Sequence, residues 1–162
     1  MNLTVSTIAK SIADYLAALP DTPFAGVAMY EDPNQQGSQP PCLFLQQRYS
    51  RLQLETGGYW LRTIGLDLTY LLDYNLPDLQ QRYQVAAEAL DLVMETFPYS
   101  DKQAGEHVLV RTHERNWRID LDALHYQFEV RERVSIPVPA VKMQTMDLNE
   151  EVKHDEQTQN TI

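Results

Sequence analysis

Apolar residues recur at three- and four-residue steps in two segments of the chain, and this spacing predicts two amphipathic helices. The first segment covers residues 4–19 and ends at Pro20, with Thr4 available as a cap. The second covers residues 77–97 and ends at Pro98. Its apolar positions are Leu79, Tyr83, Ala86, Ala87, Leu90, Val93, Met94 and Phe97. Each helix therefore has one face that can pack against a core.

Short apolar runs and alternating segments predict strands between and after these helices. The predicted strands cover residues 24–30, 42–54, 59–72, 108–119 and 124–134. A Gly57-Gly58 turn joins the first long pair, and an Asp-rich turn at 120–123 joins the last pair. The order of elements predicts an α+β fold, with a largely antiparallel or mixed β-sheet and two main helices packed on it.

The last predicted strand alternates between apolar and polar residues, which indicates one packed face and one face that meets water or a partner. Its apolar positions are Leu124, Tyr126, Phe128 and Val130, and its polar positions are His125, Gln127, Glu129, Arg131 and Arg133. The tip of the long hairpin, residues 46–51 opposite residues 59–62, is polar on both faces. We expect this tip to project beyond the core.

The periodic pattern ends near residue 134, which divides the chain into two parts. Residues 1–134 are predicted to form a single domain, and residues 135–162 an acidic, flexible C-terminal tail with two Lys against five Asp and Glu. Residues 31–41 are rich in Gly, Pro, Gln and Asn and predict a surface loop.

Composition narrows the possible functions. The 162 residues include 13 Lys and Arg against 23 Asp and Glu, a formal net charge of −10, which argues against binding nucleic acid through its phosphates. No apolar stretch approaches the roughly 20 residues of a membrane span. The first residues lack the pattern of an export signal, and the single cysteine, Cys42, cannot form an internal disulfide. We therefore expect an intracellular site of synthesis, without a membrane partner.

The residues that commonly carry catalysis do not form a recognisable motif. Cys42 begins an apolar strand and is expected to be a buried core residue rather than a nucleophile. His113 and His125 can approach each other only across the final hairpin, and two histidines are an incomplete metal shell. We predict no catalytic, cofactor or metal residues. A small metal-dependent hydrolase that uses Asp, Glu and His of the final hairpin is kept as an alternative.

Arginines are concentrated on the final hairpin, near Trp117 and Tyr126, and such interleaving can bind single-stranded nucleic acid. Glutamates and aspartates lie among these arginines, so cross-strand ion pairs or a protein interface are favoured instead. Together with the polar hairpin tip, these arginines predict a protein interface. The candidate interface residues are Arg48, Tyr49, Arg51, Arg111, Arg131 and Arg133.

Several local phrases and the order of elements make the chain similar to one known family. These sequence motifs are residues 40–45, Pro-Pro-Cys-Leu-Phe-Leu, and residues 59–70. The second motif begins with the aromatic pair Tyr59-Trp60 and alternates between apolar and polar residues up to Tyr70. An Ala87-Glu88-Ala89-Leu90 helix and the turn and strand of residues 120–128 complete them. Over residues 3–134 the chain resembles the tail terminator family of long-tailed phages and prophages.

This resemblance implies a structural virion protein rather than an enzyme. Tail terminators assemble into a hexameric ring at the head-proximal end of the tail tube, stop tube polymerisation and dock to head-completion proteins. The implied partners are further copies of the chain, the tube protein and a head-completion or connector protein, with DNA only passing through the ring. A head-tail connector or head-closure protein is the alternative within the same class.

Overall fold

The computed structural model describes residues 2–31 and 37–137, which form two helices and a six-stranded mixed sheet. The elements are α1 (Val5–Ala17), β1 (Ala28–Tyr30), β2 (Cys42–Leu54), β3 (Trp60–Leu71), α2 (Leu79–Val93), β4 (Thr96–Asp101), β5 (Glu106–Ile119) and β6 (Leu124–Val134). The strand order is β1-β2-β3-β6-β5-β4, with β1 parallel to β2 and every other pair antiparallel. The predicted α+β class is confirmed.

The sheet curls because β5 changes partner along its length. Its second half, from Thr112, pairs with β6, whereas its first half, from Glu106 to Arg111, pairs with β4. Residues 131–134 of β6 therefore continue alongside β3 alone. The tip halves of β2 and β3 extend in the same direction, so three strands project from the body of the domain.

Both helices pack on one face of this sheet and bury a single apolar core. Ile12 of α1 and Leu90 of α2 are fully buried. The alternating apolar side chains of β3 and β6 face the helices, as predicted. At about 25 cal/mol per Å² of apolar area removed from water, such burial is the main stabilising contribution. The tip of β2 has no such cover: its residues 46–54 are all exposed, as predicted for the hairpin tip.

The N-terminal helix begins where its cap predicts. Thr4 has extended backbone angles, and its side chain accepts a hydrogen bond of 3.3 Å from the Thr7 amide. The helix ends at Ala17, two residues before the predicted end. The predicted strand at 24–30 is shorter than expected, because only Ala28–Tyr30 pairs with β2. Phe24 lies in a turn and is still fully buried.

The predicted end of the second helix is wrong. Helix α2 ends at Val93, and residues 96–101, expected as helix and polar loop, form strand β4. Phe97 and Tyr99 alternate into the core. Between them Pro98 occupies an edge position, where the missing amide would point away from β5. The proline therefore marks a sheet edge and not a helix end.

The amide of Ser100 shows that the free edge of β4 is covered. It points away from β5 and donates a hydrogen bond of 3.1 Å to Ser11 Oγ of α1. Pro98 has the same outward parity two residues earlier and carries no amide hydrogen. An uncovered edge would be a template for pairing with another strand, so this side of the sheet is closed by a helix and a proline.

The ion pair between Arg62 and Glu132 holds the N-terminal residues beside the part of β6 that no longer pairs with β5. Both carboxylate oxygens of Glu132 accept the Leu3 amide, at 3.0 and 3.2 Å. The guanidinium of Arg62 bonds to the same carboxylate and to the carbonyl oxygen of Leu3. These bonds explain why Arg62 and Glu132 occupy positions of β3 and β6 at which the alternation would otherwise place apolar residues.

No helix in the described ranges is long and apolar enough to span a membrane. The predicted flexible tail lies, from residue 138 on, outside the described residues, and so do residues 32–36 of the predicted surface loop.

Candidate assembly surface

The sheet face turned away from both helices carries most of the predicted interface residues, and we call it the helix-free face. Cross-strand neighbours share a face, so the register places Tyr49, Gly65, Glu129 and His113 in one row across four strands. The next row contains Arg51, Thr63 and Arg131, and the row beyond it contains Gln53, Leu61 and Arg133.

The predicted arginines at the two ends of this face also belong to it. Arg111 lies two residues before His113 on β5 and therefore has the same parity. Arg48 lies at a β-bulge between Gln47 and Tyr49, and its guanidinium is 5.6 Å from the centre of the Tyr49 ring. The structure thus brings the six candidate residues to one side of the sheet.

Tyr49 is positioned by a glycine. An added Cβ at Gly65 would lie 2.4 Å from the Tyr49 ring, so the ring rests directly on the Gly65 backbone. From there the hydroxyl of Tyr49 donates a hydrogen bond to Glu129 Oε1. The glycine is required because no larger residue leaves room for this ring on a pleated strand.

Glu129 is the centre of a charged cluster. Its second oxygen accepts two bonds from Arg131, at 2.8 and 3.2 Å. Burial alone would raise the pKa of the Glu129 carboxyl, but the hydrogen bonds from Tyr49 and Arg131 outweigh it and lower the pKa. The bond to Glu129 is the main reason why the pKa of Tyr49 is raised. Glu129 is therefore a charged and largely buried anchor for two candidate residues.

A second bulge brings another carboxylate to Arg131. Between His113 and Asn116 the register of β5 shifts, and Glu114 adopts a positive φ of 48° that non-glycine residues rarely take. Its carboxylate lies 3.7 Å from Arg131. The pKa of His113 is lowered, first by burial and then by the charges of Arg131 and Arg111.

The remaining predicted arginines form exposed contacts. Arg133 lies 3.3 Å from Glu55 and 5.7 Å from the centre of the Tyr59 ring, and Arg111 lies 3.7 Å from Glu95. Exposed ion pairs of this kind contribute about 0–1 kcal/mol to stability. Their charges thus remain available to a partner at little cost to the fold.

Trp117 and Tyr126 are not part of the helix-free face. Both turn to the helix side, where the Trp117 ring nitrogen and the Tyr126 hydroxyl donate to the Asp91 carboxylate, at 3.1 and 2.9 Å. Arg115 shares this side, where it donates to the Asp91 carbonyl oxygen at 2.8 Å, whereas Arg111, Arg131 and Arg133 lie on the helix-free face. Tyr126 is fully buried, so its ring offers no stacking surface to single-stranded nucleic acid.

A polar cluster around His125 was not predicted from the sequence. One ring nitrogen of His125 lies 3.1 Å from Asp67, and the other lies 3.2 Å from Asp120. Thr69 and Gln127 also contact this cluster. Its members come from β3, β6 and the turn before β6, and only the β3–β6 register, which links distant parts of the sequence, brings them together.

His113 and His125, which could have met across the final hairpin, do not approach each other. The register pairs His113 with Glu129 and His125 with Arg118, which places the histidines four residues apart along β6. In residues 2–31 and 37–137, no group of three or more His, Cys, Asp or Glu could hold a metal ion. Cys42 is buried as predicted, and burial raises the pKa of its thiol.

The projecting strands also carry apolar side chains that were not among the predicted interface residues. Leu54, Trp60 and Val134 form a row on the helix side, beyond the reach of either helix, and Leu52 lies in the next row. Leu52 and Leu54 are 45% and 57% exposed. We call residues 46–63 and 131–134 the arm. The arm thus has one apolar face and one face rich in arginine.

Comparison with known proteins identifies the family. A family model described as phage tail terminator protein matches residues 7–142, which is most of the chain. A search of curated proteins gave no match. The chain belongs to this phage tail terminator family and is a structural component of the virion.

Proposed function

We propose that this protein forms a hexameric ring at the head-proximal end of the tail tube, where it stops tube polymerisation and docks to head-completion proteins. DNA passes through the ring without being held, since a subunit with a net charge of −10 repels phosphate. The observation that carries the proposal is the β2 strand of the arm, which a monomer leaves exposed on both faces. Residues 46–54 of β2 are all exposed, Leu52 and Leu54 among them.

Such an arm is expected in a protein that is completed by its neighbours. Apolar side chains on a projecting sheet gain stability only when another surface removes them from water. The helix-free face contains Arg48, Tyr49, Arg51, Arg131 and Arg133 on the arm and Arg111 beside it, which we propose as contacts to adjacent subunits or to the tube.

The test combines absolute mass with tube capping. Light scattering over a range of concentrations should give the mass of about six subunits, and negative-stain images should show rings at tube ends when tube protein is added. Tubes polymerised with the protein should stop growing, and tubes without it should continue. A protein that remains monomeric and leaves tube length unchanged would overturn the proposal.

A head-tail connector or head-closure protein is the second candidate, because it would also form a small ring on the same axis. Affinity separates the two: a terminator binds tube subunits in preference to portal or adaptor proteins. Binding only to portal or adaptor proteins would favour the second candidate.

The hydrolase alternative has a direct test. His113→Ala combined with His125→Ala should leave ring mass and tube capping unchanged. If the double variant instead lost a measurable hydrolytic activity or a bound metal ion, the enzyme alternative would be supported.

A further inference from the structure

The two ends of the sheet carry opposite charge. The arm contains five arginines and two glutamates. At the other end β1, β2 and β6 begin and β3 and β5 end, so the loops 18–27, 72–78 and 120–123 lie together there. We call these three loops the loop end. The loop end contains five aspartates, Asp21, Asp73, Asp78, Asp120 and Asp122, and no lysine or arginine.

The loop end is a fixed surface, because buried tyrosines join its three loops. Tyr83 accepts the Leu72 amide at 3.0 Å and donates to the Asp122 carbonyl oxygen at 2.8 Å. Tyr70 donates to the Pro23 carbonyl oxygen at 3.4 Å, and its ring packs edge-on against Tyr83. Burial raises the pKa of Tyr70 to about 12, so this hydroxyl remains a donor under physiological conditions.

This end also offers apolar surface. A cleft of about 370 Å³ is lined by Pro23, Leu72, Val85, Asp78 and Arg82. The Arg82 Nε donates to the Pro77 carbonyl oxygen at 3.0 Å. Leu121, in the turn before β6, is 91% exposed. The loop end thus combines aspartates with exposed apolar side chains, and the arm combines arginines with exposed leucines.

Two arginines of the arm lie in no ion pair with a described residue, although the charge of Arg51 helps to lower the pKa of the Glu129 carboxyl. Arg131, Arg133 and Arg62 each contact a glutamate. Arg48 and Arg51 form no ion pair with any described residue. At the loop end, the carboxylates of Asp78 and Asp122 likewise accept no hydrogen bond from a described residue. The unpaired charges of the two ends are opposite in sign.

We propose that the free edge of β2 in the arm of one copy, which β1 leaves unpaired beyond Phe44, docks on the loop end of the next copy. Its helix-free face then brings Arg48 and Arg51 to Asp78 and Asp122, and its helix side covers Leu52 and Leu54 at the Pro23–Val85 cleft. Because the two surfaces differ and lie at opposite ends of the sheet, the contact is head-to-tail. Repetition of a head-to-tail contact closes into a ring when its rotation permits. This contact specifies how the ring of the proposed function is built, and it depends on that function.

The test reverses charge at each end separately. The arm variant is Arg48→Glu with Arg51→Glu, and the loop variant is Asp78→Lys with Asp122→Lys. Like charges then face each other, and assembly measured by native mass spectrometry should weaken by about a hundredfold or more. The control is Asp14→Lys with Glu88→Lys, which replaces two exposed acidic residues on the helices. It changes the net charge as much as the loop variant does, and it should assemble like the wild type.

Mixing the two defective variants gives the decisive result. The negative arm of one variant fits the positive loop end of the other, and the positive arm fits the negative loop end. Equal amounts should therefore form rings in which the variants alternate, with masses that show three copies of each. A single chain with all four substitutions should also assemble. Failure of both to recover would overturn the docking contact.

The outcomes also separate this inference from the proposed function. Rings of normal mass from both variants would overturn the arm-to-loop contact and leave the terminator ring intact. A wild-type protein that is monomeric at every concentration would overturn both. Circular dichroism of each variant must match the wild type, and a variant that fails this is replaced by Arg51→Gln or Asp122→Asn, for which partial weakening is expected.

Discussion

At the scale of single residues, the helix-free face depends on one glycine that accommodates one aromatic ring. Gly65 lies in the middle of a central strand, where glycine is normally unfavourable, and Tyr49 covers it from the neighbouring strand. The ring then reaches Glu129, which also holds Arg131. The position of two candidate interface residues thus follows from the absence of a single side chain.

Gly65→Ala should displace the Tyr49 ring and destabilise the domain. A Cβ cannot remain 2.4 Å from ring atoms, and overpacking of this kind costs about 1–3 kcal/mol. Urea denaturation measures the loss. In a Tyr49→Ala background the same change should cost much less, because the clash is gone. Equal costs in both backgrounds would show that the ring does not rest on Gly65.

Tyr49→Phe should lower stability near neutral pH by about 1 kcal/mol, because it removes a hydrogen bond to a charged carboxylate. The pKa of Glu129 is lowered in the folded state, so its stabilising contribution is present above the ordinary carboxyl pKa and is lost as the pH falls. The difference between variant and wild type should therefore shrink at pH 3. The exposed Tyr59→Phe is the matched control, and a difference independent of pH would contradict this account.

At the scale of elements, the sequence predicts the long strands and the first helix well, because their periodicity is carried by many residues. It does not predict β4. The apolar positions Leu90, Val93, Met94 and Phe97 continue a helical spacing, and Pro98 then resembles a helix stop. Only the pairing with β5 shows that Phe97 and Tyr99 alternate across an edge strand.

The candidate interface can likewise be predicted only in part from the sequence. Parity along β6 places Arg131 and Arg133 on the polar face, and this is visible in the sequence. The cluster around Glu129 is not visible, because Tyr49 and Glu114 are brought to Glu129 and Arg131 by two bulges that shift the register. Gly65 within a strand, beside an aromatic residue on the next strand, is the one local signal from which this cluster could have been inferred.

Ser11→Ala tests how α1 closes the edge of β4. The variant leaves the Ser100 amide without its acceptor, which should cost about 1–3 kcal/mol although alanine favours the helix. Hydrogen exchange should become faster at Ser100 in particular. Ser6→Ala, exposed on the same helix, should leave stability and exchange at Ser100 unchanged. Unaltered exchange at Ser100 in the Ser11 variant would show that the edge is covered by other means.

At the scale of the whole molecule, the Arg62–Glu132 ion pair joins the N-terminus to two central strands. Glu132→Gln should destabilise the fold by about 3 kcal/mol, because it leaves a largely buried guanidinium without its counter-charge. Thermal denaturation measures this loss. Adding Arg62→Met should recover part of it, since glutamine can still accept the Leu3 amide. A double variant less stable than the single one would show that the charge of Arg62 is not the cause.

The same ion pair has a consequence for the order in which the chain is made. Leu3 binds a carboxylate 129 residues further along the chain, so this contact of the N-terminus cannot form until the last strand has left the ribosome. At about 5–20 residues per second, that delay is on the order of ten seconds. A nascent chain in this interval lacks the completed sheet. The sheet and the contact that holds its N-terminus are therefore completed only after the last strand has been made.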